Sequence, residues 1–255
     1  MSHSLSSISV IVPVYQCAPL LKGHVESLKQ ISHKVGELIW VITKSPDTSC
    51  QMAREAAASL GGQVLEMPRG LYEAWSAGIA ASKGKYLYFS TVGDVLLRPE
   101  GLSELLESIE KSGADVVFSR PLIWPYSRKE KKMVSQWPIF RYSKILKKWD
   151  EQIIPQRSAI IMQILSGANG LLGSCASCLF RASAFVNRPF PTDYYHYGDS
   201  AWTYSNLNLI KLTYLDSEVA KFTVHGTNSN RIIVKNQIYN LALNGKNPKN
   251  RFSIF

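Results

Sequence analysis

The amino-acid sequence predicts an α/β protein in which a mostly parallel sheet carries helices on both faces. Short, unbroken apolar runs recur up to residue 119, and segments with apolar residues at helical spacing separate them. Unbroken apolar runs are typical of strands that are buried on both faces of a parallel sheet. The regular alternation of strands and helices indicates the same architecture.

The first elements follow one another in regular order. Residues 8–13 (ISVIVP) predict a strand, residues 38–43 a second strand and residues 64–67 a short third strand. The helix after the first strand should bury one face, formed by Leu21, His24, Val25 and Leu28. The helix after the second strand should end at Gly61-Gly62. Its buried face should be formed by Met52, Ala53, Ala56, Ala57 and Leu60.

Residues 68–97 are the stretch around which we expect the rest of the chain to be organised. Its helical spacing is carried by Leu71, Ala74, Trp75, Gly78, Ile79 and Ser82. Gly84 is expected to end this helix, and residues 86–90 then predict a buried strand. The strand leads into Thr91-Val92-Gly93-Asp94, so a carboxylate follows its carboxyl end. Ligands of open α/β sheets bind at that edge, which makes Asp94 a candidate site residue.

The second half of the chain gives weaker signals. Pro99 and Gly113 frame a helix, and residues 115–119 predict a strand. Residues 120–157 predict a long excursion with short helical pieces, because prolines interrupt any periodicity. Beyond it we expect a turn-rich loop at 166–170, strands at 177–180, 211–214 and 219–224, and helices at 199–209 and 232–243.

Composition narrows the class of protein. With 255 residues, of which 45% are hydrophobic, the chain can form a large globular core. We expect a cytoplasmic protein, because the sequence shows neither an apolar run of the roughly 20 residues that span a membrane nor a secretion signal. The cysteines Cys17, Cys50, Cys175 and Cys178 are expected to be reduced. Cys175 and Cys178 form a C-x-x-C, which we interpret as two small buried residues more readily than as a metal or redox pair.

The formal net charge of +10 is concentrated in one segment. Ten basic and three acidic residues lie between Arg120 and Arg157. Aromatic residues are interleaved with them: Trp124, Tyr126, Trp137, Phe140, Tyr142 and Trp149. This mixture suits an anionic lipid surface, a phosphorylated ligand or nucleic acid, and equally a solvated basic face over core aromatics. Nucleic acid is the weakest of these alternatives, because the sequence carries no recognised nucleic-acid motif.

Five segments, in the correct order, resemble the family 2 glycosyltransferases of the GT-A fold. ISVIVPVYQCAPLLKGHVESL resembles the family's opening strand and helix, and ELIWVITKSPDTS stands where the second strand usually ends in acidic residues. GLYEAWSAGIAASKGKYLYFSTVGDVLL is similar to the helix and strand that deliver the family's Asp-x-Asp. YYHYGDSAW resembles the segment with the catalytic carboxylate, and VHGTNSN resembles the stretch that closes the catalytic core.

The chain departs from the family pattern in its acidic residues. Ile42 and Thr43 stand where the family has an acidic pair, and only Asp47 remains from that motif. The tripeptide 91–93 (Thr-Val-Gly) replaces Asp-x-Asp, and only Asp94 remains beside it. We therefore expect an atypical donor and a weak dependence on Mg²⁺ or Mn²⁺. Arg69, or a lysine of the basic segment, would then neutralise the departing diphosphate.

The resemblance implies an inverting glycosyltransferase that moves a sugar from a nucleotide-sugar donor to a hydroxyl of a glycan or lipid-linked glycan. It implies Asp199 as the general base, with an ordinary N-capping aspartate as the alternative. Donor-binding residues would be Pro13, Tyr15, Thr43, Arg69, Tyr72, Thr91 and Asp94. Asn169 and Gly170 would border the acceptor, and Asp94 and His225 would hold the metal ion.

The resemblance also implies a single GT-A domain over residues 1–255. Residues 1–119 would bind the nucleotide sugar, residues 120–230 would form the acceptor and catalytic half with its basic-aromatic excursion at 120–157, and residues 231–255 would form a terminal helix and tail. We expect peripheral contact with the anionic inner face of a membrane, no nucleic acid, and an oligomeric state that the sequence leaves open. The alternative function is a catalytically silent GT-A module that binds a nucleotide or glycan, which the missing acidic residues favour.

Overall fold

The computed structural model describes residues 4–124, 137–167, 169–194 and 197–223. The strands are β1 (Ile8–Val14), β2 (Glu37–Thr43), β3 (Gln63–Met67), β4 (Tyr86–Phe89), β5 (Val95–Leu96), β6 (Val116–Ser119), β7 (Leu122–Trp124), β8 (Cys178–Arg181), β9 (Leu212–Leu215) and β10 (Ala220–Thr223). The helices are α1 (Ala18–Lys29), α2 (Ser49–Leu60), α3 (Leu71–Ala81), α4 (Glu100–Ser112), α5 (Pro138–Arg141), α6 (Ser143–Leu146), α7 (Gln156–Leu165) and α8 (Gly198–Asn206).

The described strands form a large sheet and a small one. The large sheet has seven strands in the order β3-β2-β1-β4-β8-β6-β9, and the small sheet has three in the order β5-β10-β7. In the large sheet β3, β2, β1 and β4 run parallel to one another, and β6 and β9 are also parallel to each other. β8 alone among these strands is antiparallel to both of its neighbours, β4 and β6. The predicted mostly parallel sheet is confirmed.

Both faces of the large sheet are buried, as the unbroken apolar strands predict. Every residue of β1 is buried, and its side chains alternate between two hydrophobic cores. Ile11 packs on the face that α3, α7 and α8 cover, whereas Val10 and Val12 pack on the face that α1, α2 and α4 cover. The helices therefore lie on both faces, and the carboxyl ends of the parallel strands stay open at one edge.

Two helix predictions need correction. The helix at residues 71–81 ends three residues before Gly84, because Ser82 turns to an extended backbone and its amide and hydroxyl both donate to the carbonyl of Ile79. α7 was not predicted at all. Its sequence, QRSAIIMQIL, places apolar residues all around the helix, so no one-sided spacing marks it.

The predicted helix at residues 232–243 lies outside the described residues. Among the helices that the structure describes, none has the length and apolarity needed to cross a membrane.

Candidate functional site

The carboxyl edge of the large sheet brings two predicted donor residues into contact. Pro13 is buried near the end of β1, and Tyr15 follows it in a partly exposed loop. Arg69 follows β3, and its guanidinium carbon lies 5.1 Å from the centre of the Tyr15 ring. This distance is within the range of a cation–π contact. The edge therefore presents an aromatic ring and a cation side by side.

The polar residues that follow β2 stabilise the protein itself. The hydroxyl of Thr43, which is buried, donates a 2.7 Å hydrogen bond to the carbonyl of Val14. Asp47 accepts hydrogen bonds from the hydroxyl of Ser49 (2.7 Å) and from the N–H of Ala18 (3.3 Å). Partial burial acts to raise the pKa of Asp47, but these donors outweigh it and hold the pKa below its usual value. Asp47 thus links the N-terminal ends of α1 and α2.

Asp94 is a buried carboxylate in the loop after β4, with 8% of its surface exposed. Its Oδ1 accepts a hydrogen bond from the N–H of Thr223 (2.9 Å), and its Oδ2 accepts from the hydroxyls of Thr91 and Ser174 (3.3 Å each). Burial raises the pKa of Asp94 to about 7, although these hydrogen bonds act to lower it. Asp94 therefore ties β10 and the segment before Cys175 to the loop after β4.

The described residues by themselves do not form a metal site. Both oxygens of Asp94 already accept hydrogen bonds from protein donors. Gly93 has a φ of 103°, a left-handed backbone that an aspartate rarely adopts, so the turn itself requires glycine there. No group of three His, Cys, Asp or Glu side chains that could hold a metal occurs within the described ranges. His225, the other predicted ligand, lies outside them.

Asp199 lies in the first turn of α8, where a helix favours negative charge. Its Oδ1 accepts hydrogen bonds from the hydroxyl of Tyr72 (3.0 Å) and from the N–H of Ser200 (2.7 Å). Desolvation raises the pKa of Asp199 above its usual value, and the two donors only partly offset it. The N-cap position belongs to Tyr197, so Asp199 is not the N-capping residue of this helix.

Tyr72 reaches Asp199 because residue 198 has no side chain. A Cβ atom at Gly198 would lie 2.4 Å from the Tyr72 ring and 2.7 Å from the carbonyl oxygen of Pro191. The ring of Tyr72 is 3% exposed and packs against Trp75 and Phe190. The predicted core position of Trp75 is confirmed. Tyr72, predicted to bind the donor, faces Asp199 instead of the Tyr15 side of the edge.

A cavity of about 10 Å³ adjoins Asp199 and has room for about one water molecule. Phe190 and Trp202 form apolar walls, and Gly170, a predicted acceptor residue, lines another side. Asn169, the other predicted acceptor residue, lies in the same loop, where its carbonyl accepts a 2.8 Å hydrogen bond from the buried side chain of Gln163. The loop that the sequence assigned to the acceptor therefore borders Asp199.

Ser174 and Cys175 connect the surroundings of the two aspartates. Ser174 donates to Asp94, and Cys175 lines the cavity beside Asp199. Burial, followed by the nearby charge of Asp199, raises the pKa of the Cys175 thiol well above its usual value. Cys178 is fully buried, and its thiol donates to the carbonyl of Ser174. These cysteines are buried, unreactive residues, and the aspartates occupy adjoining parts of one region.

Sequence reasoning missed three residues that hold the two carboxylates: Ser174, Ser200 and Thr223. Ser174 is 80 residues from Asp94 along the chain, and Thr223 is 129 residues from it. A contact at such separation is set by the order of the strands, so no local spacing could have predicted it. Ser200 is next to Asp199. Its backbone N–H could have been predicted as a donor, because the first N–H groups of a helix have no partner within the helix and the sequence predicted a helix start here.

Comparison with known proteins gives one family and a set of similar folds. The model of the family described as glycosyl transferase family 2 matches residues 9–168. No curated protein matches the chain. S. aureus TarS 1-349 in complex with UDP has a TM-score of 0.65 and 16% identity, covering 93% of this chain and 70% of that one.

Two further solved structures share the fold at similarly low identity. The mannosyltransferase PcManGT from Pyrobaculum calidifontis, in complex with GDP-Man and Mn²⁺, has a TM-score of 0.60 and 14% identity over 87% of this chain and 58% of that one. Glucosyl-3-phosphoglycerate synthase from Mycobacterium tuberculosis, in complex with Mn²⁺, UDP and glucosyl-3-phosphoglycerate, has a TM-score of 0.57 and 15% identity over 92% and 77%. These likenesses support the predicted GT-A fold.

The raised pKa of Asp94 predicts that this carboxyl makes the protein less stable as the pH rises. The folded state holds the proton up to a pH of about 7, whereas the unfolded chain releases it near the ordinary aspartate pKa of 3.8. Stability from this group is therefore fully present below pH 4 and is lost between pH 4 and about 7. In Asp94→Asn the amide oxygen can still accept the hydrogen bond from Thr223. Because asparagine does not titrate, the variant should not lose stability between pH 4 and 7 through this position.

Denaturant unfolding of both proteins in the presence of a chelator, from pH 4 to pH 8, measures the effect. The free energy of unfolding of Asp94→Asn, relative to that of the wild type, should increase as the pH rises, by up to about 4 kcal/mol. A difference that stays constant across this range would contradict the raised pKa.

Proposed function

Because this chain belongs to glycosyl transferase family 2, we propose that it moves a sugar from a nucleotide-sugar donor to a hydroxyl of a glycan or lipid-linked glycan, with inversion at the anomeric carbon. One observation carries this proposal. Asp199, a carboxylate with a raised pKa, is fixed at a helix N-terminus beside a cavity and beside the loop of Gly170.

Asp199 has the properties that a general base requires. A base works best when its pKa lies near the operating pH, and burial moves the pKa of this carboxyl upward. The hydrogen bonds from Tyr72 and Ser200 both reach Oδ1, which fixes the orientation of the carboxylate. An acceptor hydroxyl that enters along Gly170 would give its proton to Asp199 while its oxygen attacks the anomeric carbon. A single displacement of this kind inverts the configuration.

The donor would bind at the N-terminal end of α3, on the side where Arg69 contacts Tyr15. Arg69 immediately precedes the N-cap of this helix, and Tyr72 lies in its first turn. Arg69 contacts Tyr15, whereas Tyr72 contacts Asp199, so the two sides of the reaction meet at one helix end. Tyr15 offers a surface on which a nucleobase can stack, and Arg69 offers the positive charge that a departing diphosphate needs. Residues 1–119 would then form the donor half and residues 120–230 the acceptor and catalytic half of one domain.

Charge neutralisation by a metal ion has less support from the described residues. Two of the similar structures, PcManGT and glucosyl-3-phosphoglycerate synthase, are complexes with Mn²⁺. In this chain Gly93 and Thr91 stand at the expected acidic positions, and the oxygens of Asp94 serve the fold. We therefore propose that Arg69 neutralises the negative charge of the departing diphosphate.

The first test replaces the proposed base. A thermal-shift screen of nucleotide sugars identifies the donor, because a ligand of the folded state raises the melting temperature. With that donor, Asp199→Asn should lower the rate of sugar transfer or donor hydrolysis roughly 10²- to 10⁴-fold, because the amide cannot take the proton. Donor binding should stay unchanged.

Asp193→Asn, at an exposed aspartate six positions earlier, is the matched control and should keep the wild-type rate. A wild-type rate no higher than that of Asp199→Asn, with donor binding intact, would contradict the transferase and support the silent binding module.

The second test removes the proposed cation. Arg69→Gln should weaken the binding of a nucleoside diphosphate by roughly tenfold or more, because a charge-assisted hydrogen bond to phosphate is lost. Arg54→Gln is the control, since Arg54 is also an exposed arginine and pairs with Glu66 on β3. Isothermal titration with and without Mn²⁺ gives the affinities. Equal affinities of the two variants, or stoichiometric Mn²⁺ that restores full binding to Arg69→Gln, would assign the charge to another group.

A further inference from the structure

The outer face of α7 is apolar and exposed. Arg157, Ile161, Ile164 and Leu165 repeat at helical spacing on this face, and the exposed fractions of Ile161 and Leu165 are 56% and 61%. The opposite face, with Ala159 and Met162, is buried in the core. The helix contains no acidic residue. Solvated helices usually place charged residues on the outer face, so this composition needs a partner.

Basic side chains border this apolar face. The guanidinium of Arg141, at the end of α5, donates to the carbonyl of Leu165 at 3.4 Å, which brings α5 beside the end of α7. Lys144, Ile145 and Lys148 follow within α6 and the turn after it, and all three are exposed. We call the exposed side chains of Arg141, Lys144, Ile145, Lys148, Arg157, Ile161, Ile164 and Leu165 the basic-apolar face.

The nearby acidic residues do not neutralise this face. Glu151 pairs with Lys111 of α4, and Asp150 accepts a hydrogen bond from the backbone N–H of Asp216. Lys147 pairs with Asp216. Among the described residues here, Asp150 keeps its negative charge, but the exposed basic side chains Arg141, Lys144, Lys148 and Arg157 outnumber it.

For most of the aromatic residues of the basic segment, the structure supports the second of the two alternatives that the sequence left open, aromatic side chains that pack in the core. Phe140, Tyr142 and Trp149 pack against the main core, and Trp137 packs on Phe222. Trp124 is exposed, and Tyr126 lies outside the described residues. Aliphatic side chains of α6 and α7 thus form the exposed apolar surface.

We propose that the basic-apolar face docks on the surface of an anionic lipid bilayer. Isoleucine and leucine side chains on one side of a helix can enter the boundary between headgroups and acyl chains, and the flanking lysines and arginines attract anionic headgroups. A second copy of this chain would bring the same positive charges together, which disfavours a dimer through this face. Nucleic acid would leave Ile161 and Leu165 without an apolar partner.

This docking also narrows the acceptor, a step that rests on the proposed function. The C-terminal end of α7 leads directly into the loop of Asn169 and Gly170, which borders Asp199. Gln163, in the last turns of α7, holds this loop through the N–H of Leu171 (2.7 Å) and the carbonyl of Asn169 (2.8 Å). A chain docked through α7 would present its acceptor loop to the bilayer. The acceptor class is therefore a lipid-linked hydroxyl compound.

Co-sedimentation of the full chain with lipid vesicles tests the docking without any donor or acceptor. The vesicles contain phosphatidylcholine with about 30% phosphatidylglycerol, or phosphatidylcholine alone. The wild type should bind the anionic vesicles, bind the neutral ones at least about tenfold more weakly, and dissociate as the ionic strength rises. Leu165→Ser combined with Lys144→Gln should weaken binding to the anionic vesicles by about tenfold or more.

The matched control is Val64→Ser combined with Lys34→Gln, which also removes one exposed apolar side chain and one lysine. Val64 lies on β3, at the opposite edge of the sheet from β9, and this control should bind like the wild type. Melting temperatures verify that both variants are folded. Equal vesicle binding by the two variants, or no binding by the wild type, would overturn the proposal.

Sedimentation velocity without lipid tests whether a second copy of this chain binds to the basic-apolar face instead. A wild-type dimer that Leu165→Ser with Lys144→Gln dissociates would assign the face to a second copy and would also overturn the proposal. Vesicle binding in a chain that shows no sugar transfer would uphold the docking and remove only the acceptor assignment.

Discussion

The hydrogen bond from Tyr72 to Asp199 is the contact on which the proposed site depends. It joins residues 127 positions apart and connects α3 to α8. Gly198 leaves the space that the Tyr72 ring needs, and Phe190 and Trp75 fix that ring from the other side. Because Arg69 leaves the same helix end toward Tyr15, the position of α3 sets both sides of the proposed reaction at once.

The carboxylates of Asp94, which is buried, and Asp199, which is partly buried, have different surroundings, and we assign them different roles on that ground. Asp94 accepts from three protein donors, one of them the backbone of β10, and in this way connects the small sheet to the large one. Asp199 accepts hydrogen bonds from Tyr72 and Ser200 and lines a cavity with room for about one water molecule. Asp47 accepts from the first backbone N–H of α1 and the first of α2. The acidic residues that remain beside the degenerate motifs therefore stabilise the fold, while the carboxylate of α8 adjoins a water-sized cavity.

Local sequence patterns predicted most of the parallel sheet, because buried strands and one-sided helices carry their own apolar spacing. Leu21 and Leu28, for instance, are buried in α1 as their spacing requires. The antiparallel orientation of β8 and the partners of Asp94 depend on how distant segments meet, which spacing does not encode. α7 was not predicted for a related reason. Ile161 and Leu165 are exposed, so apolar residues occur on both its buried and its exposed face and do not follow a one-sided helical spacing.

The pH dependence of kcat/KM in a Tyr72→Phe variant tests the central contact most directly. Phenylalanine fills the same buried space, so the only intended change is the loss of the hydrogen bond that lowers the pKa of Asp199. If Asp199 is the base, the acidic limb of the profile should move to higher pH, with the plateau rate largely retained. An acidic limb at the wild-type pH would contradict the account, because it would show that the group titrating in catalysis does not contact Tyr72.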